Sequence, residues 1–224
     1  LPKASFLDPA NTFTVPPFQT AAGSADIISH TCEAYFSQDH DLYFLDTFME
    51  GLLRTVMRFA PRAMEHGDDY EARANLMWAS SWAINGFADG GKTQAWSVHP
   101  MEHELSAFYD ITHGLGLAIL TPAWMRHVLA KDPEGTLPKF CRFAENVFGI
   151  CDPSLSDMER AEAGIQALQD FFCDELQLAG SLSAIGIDEE HFGAMAEKAC
   201  HGPAIKGFVE LTPADVVEIY RACL

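Results

Sequence analysis

Apolar residues in this chain recur at three- and four-residue steps over most of its length, and that periodicity excludes most folds at once. Ala25, Ile28, Cys32 and Tyr35 mark the first such segment after Pro17. Phe44, Phe48, Leu52 and Val56 mark a second, over about 42–59. Ala74, Met77, Trp78, Trp82 and Ile84 mark a third, over about 70–87. Further helices are expected over about 98–108 and 112–129, the latter bent at Pro122. Others are expected over about 138–149, 156–177, 188–200 and 213–222. The last has a start signal in Thr212-Pro213-Ala214-Asp215, with Thr as N-cap and Pro at the first helical position. The first 16 or so residues read as loop, with Asn11 to Thr14 extended between Asp8-Pro9 and Pro16-Pro17. No stretch alternates with period two, and none has a β-α-β rhythm. The expected fold is therefore all-α, a multi-helix bundle forming one domain over residues 1–224.

Charge narrows the partners. Lys and Arg number 14 against 32 Asp and Glu, a net charge of −18. A surface that acidic repels phosphate backbones, so nucleic acid is not an expected partner. No apolar run reaches the roughly 18 residues that a membrane helix needs. The most apolar stretch, Leu115 to Met125, is interrupted by Pro122. The six cysteines form no C-x-x-C pair, and there is neither an N-x-Ser/Thr acceptor nor a signal-peptide pattern. Reduced thiols and a cytoplasmic location are the expectation.

The residues able to carry chemistry are few. His99, His103 and His113 fall within fifteen positions, and His99 and His103 are spaced to share a helix face. Asp26 and His30 repeat that spacing upstream, in apolar company: Ala25, Ile27 and Ile28. A lone histidine is ordinarily a packed or solvated side chain. A carboxylate in an apolar helix is costly without a cation or hydrogen bonds, and two helix-borne pairs facing each other suit a buried divalent ion. Imidazole and carboxylate together suit Fe2+ or Zn2+.

Two other patterns compete. Gly86-Phe-Ala-Asp-Gly-Gly-Lys-Thr93 fits G-x-x-x-x-G-K-[ST]. That phosphate loop needs a preceding strand, whereas Leu76 to Asn85 has helical periodicity, so the glycines are expected to end one helix and turn into the next. His99-Pro-Met-Glu-His103 fits the H-x-x-E-H pattern of inverted zinc proteases, in which both histidines ligate zinc and Glu102 is the general base. That reading leaves Asp26 and His30 without a role.

The run from Trp96 through Ser-Val-His-Pro-Met-Glu-His-Glu-Leu-Ser-Ala-Phe-Tyr-Asp-Ile-Thr-His-Gly-Leu-Gly to Pro122 resembles the signature of the iron-containing alcohol dehydrogenases, most of all their bacterial butanol-dehydrogenase branch. Asn11-Thr-Phe-Thr-Val-Pro-Pro and Gly23-Ser-Ala-Asp-Ile-Ile-Ser-His30 resemble that family's first metal-ligand helix, and Leu76 to Gly86 its middle helix. The resemblance covers nearly the whole chain. It implies a family built from an N-terminal domain that binds NAD(P) through a Gly-Gly-Gly-Ser loop and a C-terminal helical domain that holds metal. This chain resembles only the second and contains no Gly-Gly-Gly-Ser, so the nucleotide-binding domain is expected to lie outside it.

The resemblance implies metal ligation by Asp26, His30, His99 and His113. It implies that His103 lies near metal and nicotinamide without ligating, as a proton-moving residue. It also implies a touch of cofactor at Asn11 and Thr14. The ion is expected to be Fe2+, with Zn2+ as alternative, and the cofactor NAD(P). The chemistry is hydride transfer between a primary alcohol and its aldehyde, in a protein that self-associates, as a dimer. Phe87, Trp96 and Phe108 are candidates to wall an apolar substrate pocket, with helix packing as the alternative for each. The readings from other classes are the zinc protease and a non-catalytic helical module.

Overall fold

Short caps, more than helix propensity, decide where the elements of this chain begin. Pro17, Pro133 and Pro213 stand in the first turn of three helices, where the N–H they lack has no partner to lose. Asp69, Asp132, Ser156 and Thr212 accept backbone N–H groups at the starts of four. The computed structural model describes residues 3–39, 42–93 and 96–224. Among them are nine α-helices: α1 Pro17–Tyr35, α2 Tyr43–Glu65, α3 Tyr70–Ile84, α4 Val98–Tyr109, α5 His113–Lys131, α6 Pro133–Phe148, α7 Asp157–Asp170, α8 Phe192–Cys200 and α9 Pro213–Ala222. The described residues contain no strand beyond a lone antiparallel bridge, Ile205 to Leu211. The chain is all-α, as its periodicity predicts.

Local differences have local causes. Asn11 to Thr14 is not extended. Pro9–Thr12 forms a 3-10 turn, because Asp8 caps the N–H of Ala10 at 3.0 Å and Pro9 takes the first helical position. Helix α3 stops at Ile84, ahead of Phe87. There the Asn85 side chain accepts from the Phe87 N–H at 2.9 Å, and Gly86 turns to a φ of +85°. Helix α6 starts at Pro133, not near 138, under its Asp132 cap. Helix α7 passes into a π turn, Phe171–Glu175, and α8 begins only at Phe192.

Helix α1 is the axis of the core. It packs on α2, α3 and α5, while α4 lies against α5 and α8. Ala25, Ile28, Cys32 and Tyr35, its periodic residues, are all buried. Each large side chain so removed from water contributes about 1.5–3 kcal/mol. The crossing of α1 and α5 depends on a glycine. A Cβ on Gly114 would lie 2.0 Å from the carbonyl oxygen of Ala22. The bare backbone lets the first turn of α5 close on α1, which carries His113 toward Asp26. No helix of the described residues is long and apolar enough to cross a membrane.

Candidate metal centre

Three helices bring four of the sequence-selected side chains to one point. Asp26 and His30 lie one turn apart on α1. His99 is in the first turn of α4, followed by Pro100 where proline is tolerated, and His113 opens α5. From Asp26 Oδ1 the Nε2 atoms of His30, His99 and His113 stand at 3.3, 3.6 and 3.7 Å. His30 Nε2 and His99 Nε2 are 3.3 Å apart. Asp26 Oδ1 is buried and has no hydrogen bond. An ion with bonds of about 2.0–2.1 Å separates tetrahedral ligand atoms by about 3.3–3.4 Å. The separations from Asp26 Oδ1 and between His30 and His99, 3.3–3.7 Å, lie near that value, Asp26, His99 and His113 bring donor atoms within 4.8 Å of one another, and a cation there would satisfy the orphaned oxygen. The donor set of three imidazoles and a carboxylate fits iron or zinc.

Two buried carboxylates hold the ring nitrogens that face away from this point. Glu33, on α1, accepts from His99 Nδ1 at 3.0 Å through Oε2. Its Oε1 accepts the backbone N–H groups of Ser97, Val98 and His99 and so caps α4. The first turn of that helix is thus fixed by the same side chain that orients its histidine. Glu102, fully buried on α4, accepts from His113 Nδ1 through Oε2 and from the Ser106 hydroxyl at 2.6 Å through Oε1. A carboxylate on Nδ1 leaves the Nε2 lone pair free for a metal. His30 has no such support: its Nδ1 is buried without a partner. The sequence reading missed Glu33 altogether, although its spacing of three from His30 on an apolar helix was a visible signal. Only the competing protease reading gave Glu102 a task, that of general base. A general base must face the substrate, and this one is buried between α4 and α5.

The electrostatics follow from crowding. Burial alone pushes the Asp26 carboxyl up, but the imidazoles of His99, His30 and His113 outweigh it and hold the carboxyl below its ordinary range. Burial and the neighbouring His99 lower His30. Burial also opposes charge on His99, yet Asp26 and Glu33 raise it from 6.5 to about 9. Asp26 and Glu33 thereby favour the protonated His99 ring.

The remaining candidates separate. His103 is exposed, with its ring stacked on His113 at 5.4 Å between centroids and 6.2 Å from His99. Glu102, His103 and His113 also bring donor atoms within 4.8 Å of one another, as Asp26, His99 and His113 do. Trp96 stands edge-on to His30 at 5.1 Å and to His99 at 4.8 Å, forming a wall beside the site. Phe87 and Phe108 do not share that position. Phe87 packs with Phe48 and Trp82, and Phe108 with His191 and Lys198. Asn11 and Thr14 are exposed, adjacent in sequence to Thr12 and Val15. Those two line a groove of about 370 Å3 that runs past Gln19 and Met77 to Asp26. The glycine run before Thr93 follows a helix, and its Lys92 is buried. That lysine donates to the Ala34 carbonyl at 2.7 Å, so it is not available to a phosphate.

A carboxylate and three imidazoles meeting between α1, α4 and α5 have the chemistry of a metal site, and comparison with known proteins gives the family of the domain that carries them. Residues 20–224 match the model of the Fe-containing alcohol dehydrogenase family, C-terminal, and the chain belongs to that family. It is 49% identical over 222 residues to the NADH-dependent butanol dehydrogenase A of Clostridium acetobutylicum, covering 98% of this chain and 56% of that protein. It is 36% identical over 197 residues to the NADPH-dependent aldehyde reductase YqhD of Escherichia coli, covering 88% and 49%. The crystal structure of the NADH-dependent butanol dehydrogenase A of Thermotoga maritima superposes with a TM-score of 0.88 at 36% identity, over 99% of this chain and 56% of that one. The chain therefore spans about half the length of the relatives it matches.

Proposed function

We propose that this chain is the metal-bearing part of an NAD(P)-dependent alcohol dehydrogenase that interconverts a primary alcohol and its aldehyde. The observation that carries the reading is the convergence of Asp26 Oδ1 with the Nε2 atoms of His30, His99 and His113 around one buried, unsatisfied oxygen. Family membership supports it, as do the names of the relatives: two are butanol dehydrogenases and one is an aldehyde reductase. Asp26, His30, His99 and His113 hold the ion, iron in the first instance and zinc as the alternative. The nucleotide is bound mainly by residues outside these 224, with Asn11 and Thr14 at its edge. The working form is a cytoplasmic dimer.

When bound, the ion supplies Lewis acidity at the substrate oxygen and the nicotinamide supplies or takes the hydride. The chain's own residues do the rest. Glu33 and Glu102 fix the two rings that they touch. Trp96 walls one side of the site and excludes water there. His103, exposed and stacked on His113, takes up the alcohol proton or returns it and exchanges it with solvent. The protease reading is not favoured, because Glu102 is buried and engaged by His113.

Metal analysis of the purified chain tests the proposal. One divalent ion per chain is expected, and Asp26→Ala should remove it. Retention of the ion by that variant would defeat the ligand assignment. The chain by itself should reduce butanal no faster than background, whether NADH or NADPH is supplied. Robust turnover would put the nucleotide site within these residues.

A further inference from the structure

Glu102 lies outside the ligand set, yet its carboxylate is the most enclosed charged group near it. It is 0% exposed. Its oxygens are divided between His113 Nδ1 and the Ser106 hydroxyl. Facing it across the helix contact is Gly116 on α5. A Cβ there would lie 2.6 Å from Glu102 Oε1 and 2.7 Å from its Cγ. Gly116 is the fourth residue of α5, in ordinary helical geometry, where glycine costs up to about 1 kcal/mol relative to alanine. Backbone conformation gives no reason for glycine at this position; the space that Glu102 occupies does.

We infer that Glu102 is a positioning residue for the metal centre, that it fixes the ring orientation and tautomer of His113, and that Gly116 is the opening that admits it. The inference rests on the ligand reading above and deepens it. An ionised carboxylate only accepts hydrogen bonds, so the ring hydrogen of His113 must sit on Nδ1. Nε2 is then an acceptor, and it faces Asp26 at 3.7 Å. Without Glu102 the ring is free to turn or to carry its hydrogen on Nε2, where it would block metal. Removal of such an outer partner typically lowers metal affinity by about 10–100-fold. Glu33 does the same for His99 but also caps a helix, so its variants would mix two effects. Glu102 and Gly116 allow the positioning role to be isolated.

The test is titration of the 224-residue chain with Co2+, followed by the visible absorption of the bound ion and by competition with a chelator. The variants are Glu102→Gln, Glu102→Ala, Gly116→Ala and Asp26→Ala. Gly116→Ala matters most, because it leaves every polar group in place, raises helix propensity and displaces only the carboxylate. It should weaken Co2+ binding by about 10-fold or more and alter the absorption envelope, with helical circular dichroism unchanged. Glu102→Ala should lose about 10–100-fold, and Glu102→Gln, which keeps an acceptor, should retain most of the affinity. Nitrogen NMR of the metal-free chain at alkaline pH gives a readout independent of metal. His113 should carry its hydrogen on Nδ1 in the wild type and shift toward Nε2 in Glu102→Ala. Should Glu102→Ala not fold, Gly116→Ala decides. Wild-type affinity in Gly116→Ala and in any folded Glu102→Ala, with binding abolished in Asp26→Ala, overturns the inference and leaves the ligand reading standing. Wild-type affinity in Asp26→Ala overturns both.

Discussion

Asp26 on α1 anchors a half-buried polar centre and Asp46 on α2 a buried one, and the two are satisfied in different ways. Around Asp46 the chain supplies its own cations. Lys139 Nζ stands 2.6 Å from Oδ2 and Lys92 Nζ 3.7 Å from Oδ1. Beside it Glu50 receives Arg142 at 2.6 Å and the Tyr35 hydroxyl at 2.9 Å. Around Asp26 the neighbours are three imidazoles, and no lysine or arginine pairs with it among the described residues. Asp46 Oδ1, like Asp26 Oδ1, has no hydrogen bond, but the Asp46 carboxylate has its counter-charges as soon as the chain folds. A carboxylate facing imidazole lone pairs is finished only when a cation arrives. The first centre should behave as part of the fold and the second as a site.

The largest effect that separates them is on stability. Asp46→Ala would leave Lys139 and Lys92 buried without their nearest counter-charge, with only Glu50 and Asp39 to compensate, which should cost about 3 kcal/mol whether or not metal is present. Asp26→Ala in metal-free protein relieves crowding as well as removing a partner, so it should cost less than half of that. Urea unfolding of the two variants makes the comparison. Equal losses would mean that Asp26 too is a structural charge.

Metal gives the next largest effect. A divalent ion at about 100 times its dissociation constant adds about 2.7 kcal/mol, or roughly 5–10 °C in Tm for a chain of this size. The rise should be seen in the wild type and in Asp46→Ala, be reversed by chelator, and be missing from Asp26→Ala. A thermal-shift series checks this, and an undiminished rise in Asp26→Ala would place the ion elsewhere.

The two centres also differ in how far the sequence discloses them. Asp26 with His30, and His99 with His103, stand out because acid and imidazole are rare on apolar helix faces and each pair is one helical turn apart; that His113 rather than His103 joins the set is implied only by the family resemblance. Asp46, Lys92, Lys139 and Arg142 are far apart in the chain and each resembles a solvated surface residue. Only the packing of α1, α2 and α6 joins them. Lys92 even imitates a phosphate-loop lysine, and the helix before it was the reason to reject that reading. Glu33 and Glu102 fall between. Each is one helical turn from a ligand, but a glutamate on a helix is so common that its burial becomes evident only in three dimensions. The helices themselves were legible from periodicity. Several of their ends were not, although Thr212-Pro213 marks the start of α9 as found, because caps such as Asp132 and the Asn85 turn depend on a single hydrogen bond.

Smaller effects come with pH, and the two centres should slope in opposite directions. His99 is raised in the fold from 6.5 to about 9, against the pull of burial, by Asp26 and Glu33. The stability it contributes is complete below about 6.5 and is lost as pH rises to about 9. Lys92 is lowered by burial, and further by Lys139, from 10.5 to about 8. Its desolvation penalty is present below about 8 and lifts as pH rises toward 10.5, so it adds stability over that interval. Metal-free protein should therefore lose on the order of 1–2 kcal/mol between neutrality and pH 9 through His99. His99→Ala should flatten that slope. Lys92→Met should remove the opposing gain at higher pH. Identical profiles for the wild type and His99→Ala would show that His99 is not held protonated at the Asp26 centre.

The smallest expected effect tests which side of His113 the ion occupies. Two donor sets share that residue, Asp26 with His99 and Glu102 with His103. They make opposite demands on the ring. The first uses Nε2, which faces Asp26, and the second needs the Nδ1 side, where Glu102 already accepts. His103 is also exposed, so fixing its ring would cost side-chain entropy that the buried His99 has already given up in folding. His103→Ala should therefore change metal affinity by less than about threefold, under 0.7 kcal/mol. In an enzyme containing both domains the same variant should slow alcohol oxidation by about 100-fold or more, the usual range for a lost proton-transfer group. Both are read on one preparation, affinity by chelator competition and rate by NADH formation. Loss of the ion in His103→Ala, with binding intact in Asp26→Ala, would move the metal to the Glu102 side and make Asp26 the second structural aspartate of the fold.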